Sequence, residues 1–118
     1  MRTNVVESDW KHFKVIRESA LQRLCERALA DLVETAGDSA ATPHERYLLV
    51  LAKIQEYARQ LEAGFDQLSR SRMLEQIMYA SSLGLIHDDE MAGFTQGLRS
   101  EVAALHALAR DLTSEDDS

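Results

Sequence analysis

The fold is decided by residues 42–68, which read TPHERYLLVLAKIQEYARQLEAGFDQL. Apolar residues recur here at alternating steps of four and three, the spacing that keeps side chains on one face of an α-helix. Thr42 and Glu45 have the pattern of a capping box, and Pro43 fits the first helical position, where its missing N–H costs nothing. We therefore predict one long amphipathic helix over 43–68, with an apolar stripe of Tyr47, Leu51, Ile54, Ala58, Leu61, Phe65 and Leu68.

A second long helix is predicted before this stretch. Ser8 followed by Asp9 is typical of a helix start, and Gly37 is typical of a helix end, so we expect a helix over about 9–36. Its apolar ridge consists of Trp10, Phe13, Ile16, Ala20, Leu24 and Ala28. The apolar face is broadened by Leu21, Cys25, Leu32 and Val33.

Three shorter helices are predicted after the two long ones. We expect them over about 70–83, over a short segment that begins after His87, and over a last segment that Thr95 caps. The pattern leaves open whether the preceding long helix continues through Gly64 to Ser69 or bends there. The stretch 76–98, with Gly84-Leu85-Ile86-x-Asp88-x-Glu90-Met91, resembles the short helix–turn–helix segment called SHOCT. The resemblance covers about a fifth of the chain and implies a helical corner, without implying a function.

The composition fits a single all-α domain. The chain has 118 residues, of which 45% are apolar, and its one proline and five glycines favour long uninterrupted elements. We predict an antiparallel helical bundle over 1–113, in which two long helices form a hairpin and three shorter helices pack across it, followed by an acidic disordered tail over 114–118. The longest stretch free of polar residues is 47–52, far shorter than the roughly 20 residues of a membrane-spanning helix, and no secretory signal is recognisable. We therefore expect a cytoplasmic protein with no membrane partner.

Negative charge is concentrated at the C-terminal end of the sequence. Residues 85–118 hold eight acidic and two basic side chains, and so carry −6 of the net charge of −7. Because nucleic acids and anionic membranes are polyanions, this charge does not favour either as a partner. It is consistent with a solubilising surface or with a docking surface for a basic protein.

The residue types that carry catalysis or bind metals are scattered. Cys25 is the single cysteine, and the four histidines form neither a close pair nor a Glu-x-x-His repeat, so we predict no metal, no cofactor and no enzymatic activity. The densest titratable cluster is His87, Asp88, Asp89 and Glu90. Clustered carboxylates can transfer protons or bind a divalent cation, but they also stabilise a helix N-terminus through its dipole. Consecutive acids point to different sides of a helix, which favours the helix start.

By exclusion, the sequence predicts a non-enzymatic protein-protein interaction module, such as an adaptor, regulator or accessory protein, that acts through amphipathic helix faces. The alternative is an acidic inhibitor or immunity-like protein that masks a basic surface of its partner with residues 88–90 and 115–117. We further expect a homodimer, because helices of about 28 and 14 residues differ in length by about 20 Å, which leaves apolar surface uncovered. The candidate partner-binding residues are Trp10, Phe13, Tyr47, Tyr57, His87, Asp88, Asp89 and Glu90.

Overall fold

The computed structural model describes the backbone of residues 5–117 and the side chains of residues 5–113. All regular structure in this part of the chain is helical, which confirms the all-α prediction. The elements are α1 (Glu7–Ala36), α2 (Pro43–Phe65), a 3₁₀ turn (Arg70–Arg72), α3 (Met73–Ser82), α4 (Asp88–Met91) and α5 (Gln96–Asp117). Helices α1 and α2 pack as an antiparallel hairpin, and we name the segment 70–117, with its 3₁₀ turn and three helices, the cap.

The start of α1 differs from the sequence prediction. The helix begins at Glu7, two residues earlier than expected, and Val6 is the N-cap residue, so the prediction that Ser8 caps the helix was wrong. No side chain caps this end. Asp9 is instead 3% exposed, and its carboxylate accepts hydrogen bonds from the backbone N–H and the hydroxyl of Thr95 at 2.8 and 2.7 Å. The first turn of α1 is therefore tied to the start of α5.

Helix α2 begins where the capping-box pattern predicts, whereas it ends earlier than predicted. The Thr42 hydroxyl accepts from the Glu45 N–H at 3.1 Å, and the Glu45 carboxylate accepts from the Thr42 N–H at 2.8 Å, which confirms the capping box. The helix ends at Phe65, three residues before the predicted bound. Next to this end, Gly64 packs against Tyr79 of α3 so closely that a Cβ atom on Gly64 would lie 2.7 Å from the ring.

The core lies between the N-terminal half of α1 and the cap. The predicted α1 ridge is buried there over its first five residues, while Ala28 is half-buried. α3 ends at Ser82, and Gly84 just beyond it lies in the left-handed region with φ of 72°, which glycine adopts readily at a helix end. Two clusters make up the core: one of Trp10, Phe13, Ile16, Met73, Ile77, Phe94, Leu98 and Val102, and a second of Ala20, Leu24, Ala80 and Leu85.

The distal half of the hairpin extends beyond the cap. Leu61 and Phe65 are half-buried against the second core cluster, whereas Tyr47, Leu51 and Ile54 of the same stripe are 65%, 41% and 46% exposed. Only the proximal part of the α2 stripe is therefore covered, and its distal part leaves apolar side chains exposed. At the other end of the chain, α5 continues through residues 114–117, where the sequence analysis predicted a disordered tail; Ser118 lies outside the described residues.

Candidate interaction surface

A polar cluster joins the two helices of the hairpin beyond the cap. The Asp31 carboxylate accepts from the Lys53 ammonium at 2.7 Å and from the Tyr57 hydroxyl at 2.9 Å, and Lys53 also donates to the Thr35 hydroxyl at 2.9 Å. The hydrogen bond from Lys53 lowers the pKa of Asp31, and the same contact raises the pKa of Lys53. Burial, together with the bond to Asp31, raises the pKa of the Tyr57 hydroxyl. These charge-assisted bonds determine which side of each helix meets the other.

One side of the hairpin is apolar on both helices. On α1, Leu32 comes directly after the contact residue Asp31; on α2, Ile54 comes directly after the contact residue Lys53. One position along an α-helix corresponds to a rotation of about 100°. Because the two helices are right-handed and antiparallel, the same rotation from their line of contact brings both side chains to the same side of the hairpin.

The cap lies on the other side of α1. Arg23 donates to the Leu85 carbonyl at 2.9 Å and Arg27 donates to the Leu83 carbonyl at 2.8 Å, so both arginines point toward the cap. A residue two positions after each arginine is rotated by about 200° and points away from the cap. We name this apolar side the hairpin face; it consists of Cys25, Leu29, Leu32 and Ala36 on α1, and of Tyr47, Leu51, Ile54 and Ala58 on α2.

The hairpin face carries no formal charge, and six of its eight residues are exposed while Cys25 and Leu32 are half-buried. Leu29 and Tyr47 are 64% and 65% exposed, although large apolar side chains are normally buried in a monomeric protein. None of its eight residues is acidic or basic, in a chain whose net charge is −7. Its borders are mixed: Gln22 on α1 and Gln55 and Arg59 on α2 are polar, whereas Val33 on α1 is apolar and 73% exposed.

The structure places the four aromatic candidates in different environments. Trp10 and Phe13 are 8% and 3% exposed and pack in the core, so the expectation that they bind a partner is not retained. Tyr57 is half-buried and donates its hydroxyl to Asp31 within the hairpin. Tyr47 alone of these four lies on the hairpin face.

The acidic candidates lie at the start of α4 and divide into two groups. His87, Asp88 and Asp89 are exposed. Glu90 is half-buried, accepts two hydrogen bonds from Arg23 at 2.7 and 2.9 Å, and accepts the His87 N–H at 2.9 Å. The bond from Arg23 lowers the pKa of Glu90. Glu90 therefore joins α4 to α1, and the four residues do not converge on a common point.

A groove of about 520 Å³ lies where the N-terminal end of α1 meets the cap. Val5, Leu74 and Leu98 line it, together with Asp9 and Arg70. Asp9 is bonded to Thr95 and Arg70 to Glu7, so these two polar groups already have partners. Across the described residues, no group of three metal-ligating side chains is placed to hold an ion, and no helix has the length and apolar character needed to cross a membrane.

Sequence reasoning did not identify the α1 half of the hairpin face. Leu29 and Cys25 were assigned to no partner, because the α1 pattern does not reveal which of its apolar residues the cap will cover. The feature of the sequence that pointed to uncovered apolar surface was the excess length of the two long helices over the shorter ones. Among known proteins, no family model matches this chain, and no curated protein or solved structure is significantly similar to it.

Proposed function

We propose that the protein is a non-enzymatic interaction module that binds another protein chain through the hairpin face. The observation that supports this is the exposure of Leu29, Tyr47, Leu51 and Ile54 on one side of two helices whose relative position is held by Asp31 and Lys53. Contiguous exposed apolar surface of this kind is typical of protein interaction sites.

The hairpin is already organised for binding. Lys53 and Tyr57 hold α2 against α1 without any contribution from the hairpin face. A partner therefore does not have to order these helices, and more of the hydrophobic free energy of contact is available for affinity. Apolar burial contributes roughly 25 cal/mol per Å², and it is little affected by salt.

The acidic-mask function is the second candidate. It is supported by the net charge of −6 over residues 85–118 and by the exposure of Asp88 and Asp89. Glu90 contributes less to it, because its carboxylate is paired with Arg23. Binding through these acids would weaken steeply with ionic strength, since salt screens exposed charges.

Affinity capture with matched variants tests both candidates. The bait proteins are wild type, a Leu51→Glu/Ile54→Glu variant of the hairpin face, an Asp88→Asn/Asp89→Asn variant, and Leu112→Glu, which alters a 57% exposed leucine on α5. Each is incubated with a lysate of the source cells and washed at low and then high salt. We expect a partner that survives high salt on wild type and Leu112→Glu and is lost from the hairpin-face variant. A partner that high salt releases, and that only the Asp88/Asp89 variant loses, would instead favour the acidic mask.

A further inference from the structure

We propose that the partner of the hairpin face is a second copy of this chain, so that two hairpins stack face to face as a two-fold symmetric four-helix bundle. This inference rests on the proposed function, in that it names the partner of the same surface. Three features of the hairpin face support it: the register of its two helices, its lack of charged residues and its exposed area.

The two helices of the face are in register with each other. Asp31 contacts both Lys53 and Tyr57, so position 31 lies level with about position 55 of α2. By the same antiparallel register Leu32 lies beside Ile54, with an apolar pair of similar kind on either side. Both stripes also have steps of four, three and four residues, which is the seven-residue repeat of helices that pack knobs into holes. A two-helix layer with this repeat is half of a four-helix bundle.

The neutrality of the face suits self-association. In a two-fold symmetric interface the same patch meets itself, so any charge near the axis faces its own copy. The hairpin face has no acidic or basic residue, and so it avoids this repulsion even though the chain carries a net charge of −7. A face of this kind has no charge pattern that would select a different partner.

Four residues of the hairpin face alone supply about half of the area that one partner contributes to a standard dimer interface. If a fully exposed large side chain has roughly 200 Å², the exposed fractions of Leu29, Tyr47, Leu51 and Ile54 leave about 400 Å² of mainly apolar surface on each copy. The remaining face residues and the borders of the face bring this closer to the ~800 Å² per partner of a standard interface. A flat layer of two helices is covered completely by another layer of two helices, whereas a single foreign helix would fill only the groove between them.

Sedimentation velocity across the micromolar concentration range tests the proposal. We expect wild type to approach twice its 13.3 kDa mass as concentration rises, and Leu51→Glu/Ile54→Glu to remain monomeric with an unchanged circular dichroism spectrum. The spectrum is the check on folding, and both positions are largely exposed in the single chain. The matched control Leu112→Glu should dimerise like wild type.

The single cysteine provides a second readout. Cys25 lies on the hairpin face and is half-buried in the single chain, so pairing of the faces should cover its thiol further. We expect its rate of reaction with a thiol reagent to fall several-fold with rising concentration of wild type, and to be independent of concentration in the hairpin-face variant.

The outcomes separate this inference from the proposed function. A wild-type protein that is monomeric at every concentration overturns the second copy as partner. If the hairpin-face variant then also loses a captured foreign protein, the proposed function stands while the dimer fails. A dimer that Leu112→Glu abolishes and the hairpin-face variant preserves overturns the inference as well, because the contact then lies on α5.

Discussion

Asp31 of α1 and Lys53 of α2 form a 2.7 Å ion pair whose side chains are 28% and 39% exposed. The pair lies in the distal half of the hairpin, where none of the large apolar side chains of α2 is buried. Polar contacts therefore hold the two helices together at this end, as apolar packing does next to the cap. Their consequence is a defined register between the helices that carry the hairpin face.

Removing this ion pair should weaken the hairpin. We expect Asp31→Ala to lower the free energy of unfolding, because Lys53 and Tyr57 both lose a hydrogen-bond acceptor. Urea denaturation at one fixed protein concentration measures the change. The control is Glu56→Ala, which removes an exposed pair with Arg59 and should cost less than about 0.5 kcal/mol. Equal effects of the two variants would contradict the structural role of Asp31.

The pairing of Glu90 with Arg23 predicts a loss of stability in acid. Since the hydrogen bond from Arg23 lowers the pKa of Glu90 in the folded protein, this pair contributes fully at pH values above the ordinary carboxyl pKa. The contribution is lost as pH falls through the lower, folded pKa. We expect the stability difference between wild type and Glu90→Gln to be largest near neutral pH and to shrink toward about pH 3. Urea denaturation of both proteins along a pH series measures this difference. A difference that does not change with pH would contradict the prediction.

Gly93 and Gly97 form a matched pair of glycines around the start of α5. A Cβ atom at Gly93 would overlap the imidazole of His12, whose Nε2 lies 2.7 Å from the Glu90 carbonyl and whose ring packs edge-on against Phe94. We expect Gly93→Ala to lower the free energy of unfolding by about 1–3 kcal/mol. At Gly97 nothing lies within 4 Å, so Gly97→Ala should be neutral or raise stability by up to about 1 kcal/mol. Thermal melts of the two variants should shift in different directions; a shared direction and size would rule out the His12 contact.

The capping box at Thr42 should act locally. Replacing Thr42 with alanine leaves the Glu45 N–H without its side-chain acceptor, and such losses cost about 1 kcal/mol. Since this end of α2 lies outside the cap, we expect faster amide hydrogen exchange in the first turn of α2 and little change in α3. Thr42→Ser keeps a hydroxyl and should restore slow exchange. Faster exchange throughout the cap would show that the first turn of α2 does not unfold as an independent local unit.

Local signals predicted the existence of the helices and some of their ends. Thr42, Pro43 and Glu45 interact within one turn, so their pattern predicts a helix start that the structure confirms. Gly84 likewise predicts a helix end, because its left-handed conformation is a property of one residue. The start of α1 was predicted wrongly, because Ser8 has the residue type of a cap but lies within the helix; the neighbouring Asp9 bonds to Thr95, which is 86 positions away in the sequence.

Burial could not be predicted by the same means. Leu51 and Leu61 occupy equivalent positions of one α2 stripe, yet Leu51 is 41% exposed while Leu61 is half-buried against the second core cluster. The difference depends on which part of α2 lies beside the second core cluster, whose members Ala20, Leu24, Ala80 and Leu85 are distant in the sequence. The Arg23–Glu90 pair could not be predicted from a local pattern either, because its two residues are 67 positions apart. The candidate surface therefore emerged only once the limits of the cap were known.

The continuity of α1 has a geometric consequence. This helix contains neither glycine nor proline over its 30 residues, and it belongs to the core at Trp10 and to the polar cluster at Asp31. Arg23, near its middle, is joined to Glu90 at the acidic start of α4. Any molecule held on the distal hairpin is thus kept at a set distance and angle from the acids of residues 88–90. If the hairpin face binds a partner as proposed, the protein would also act as a spacer between that partner and these acids.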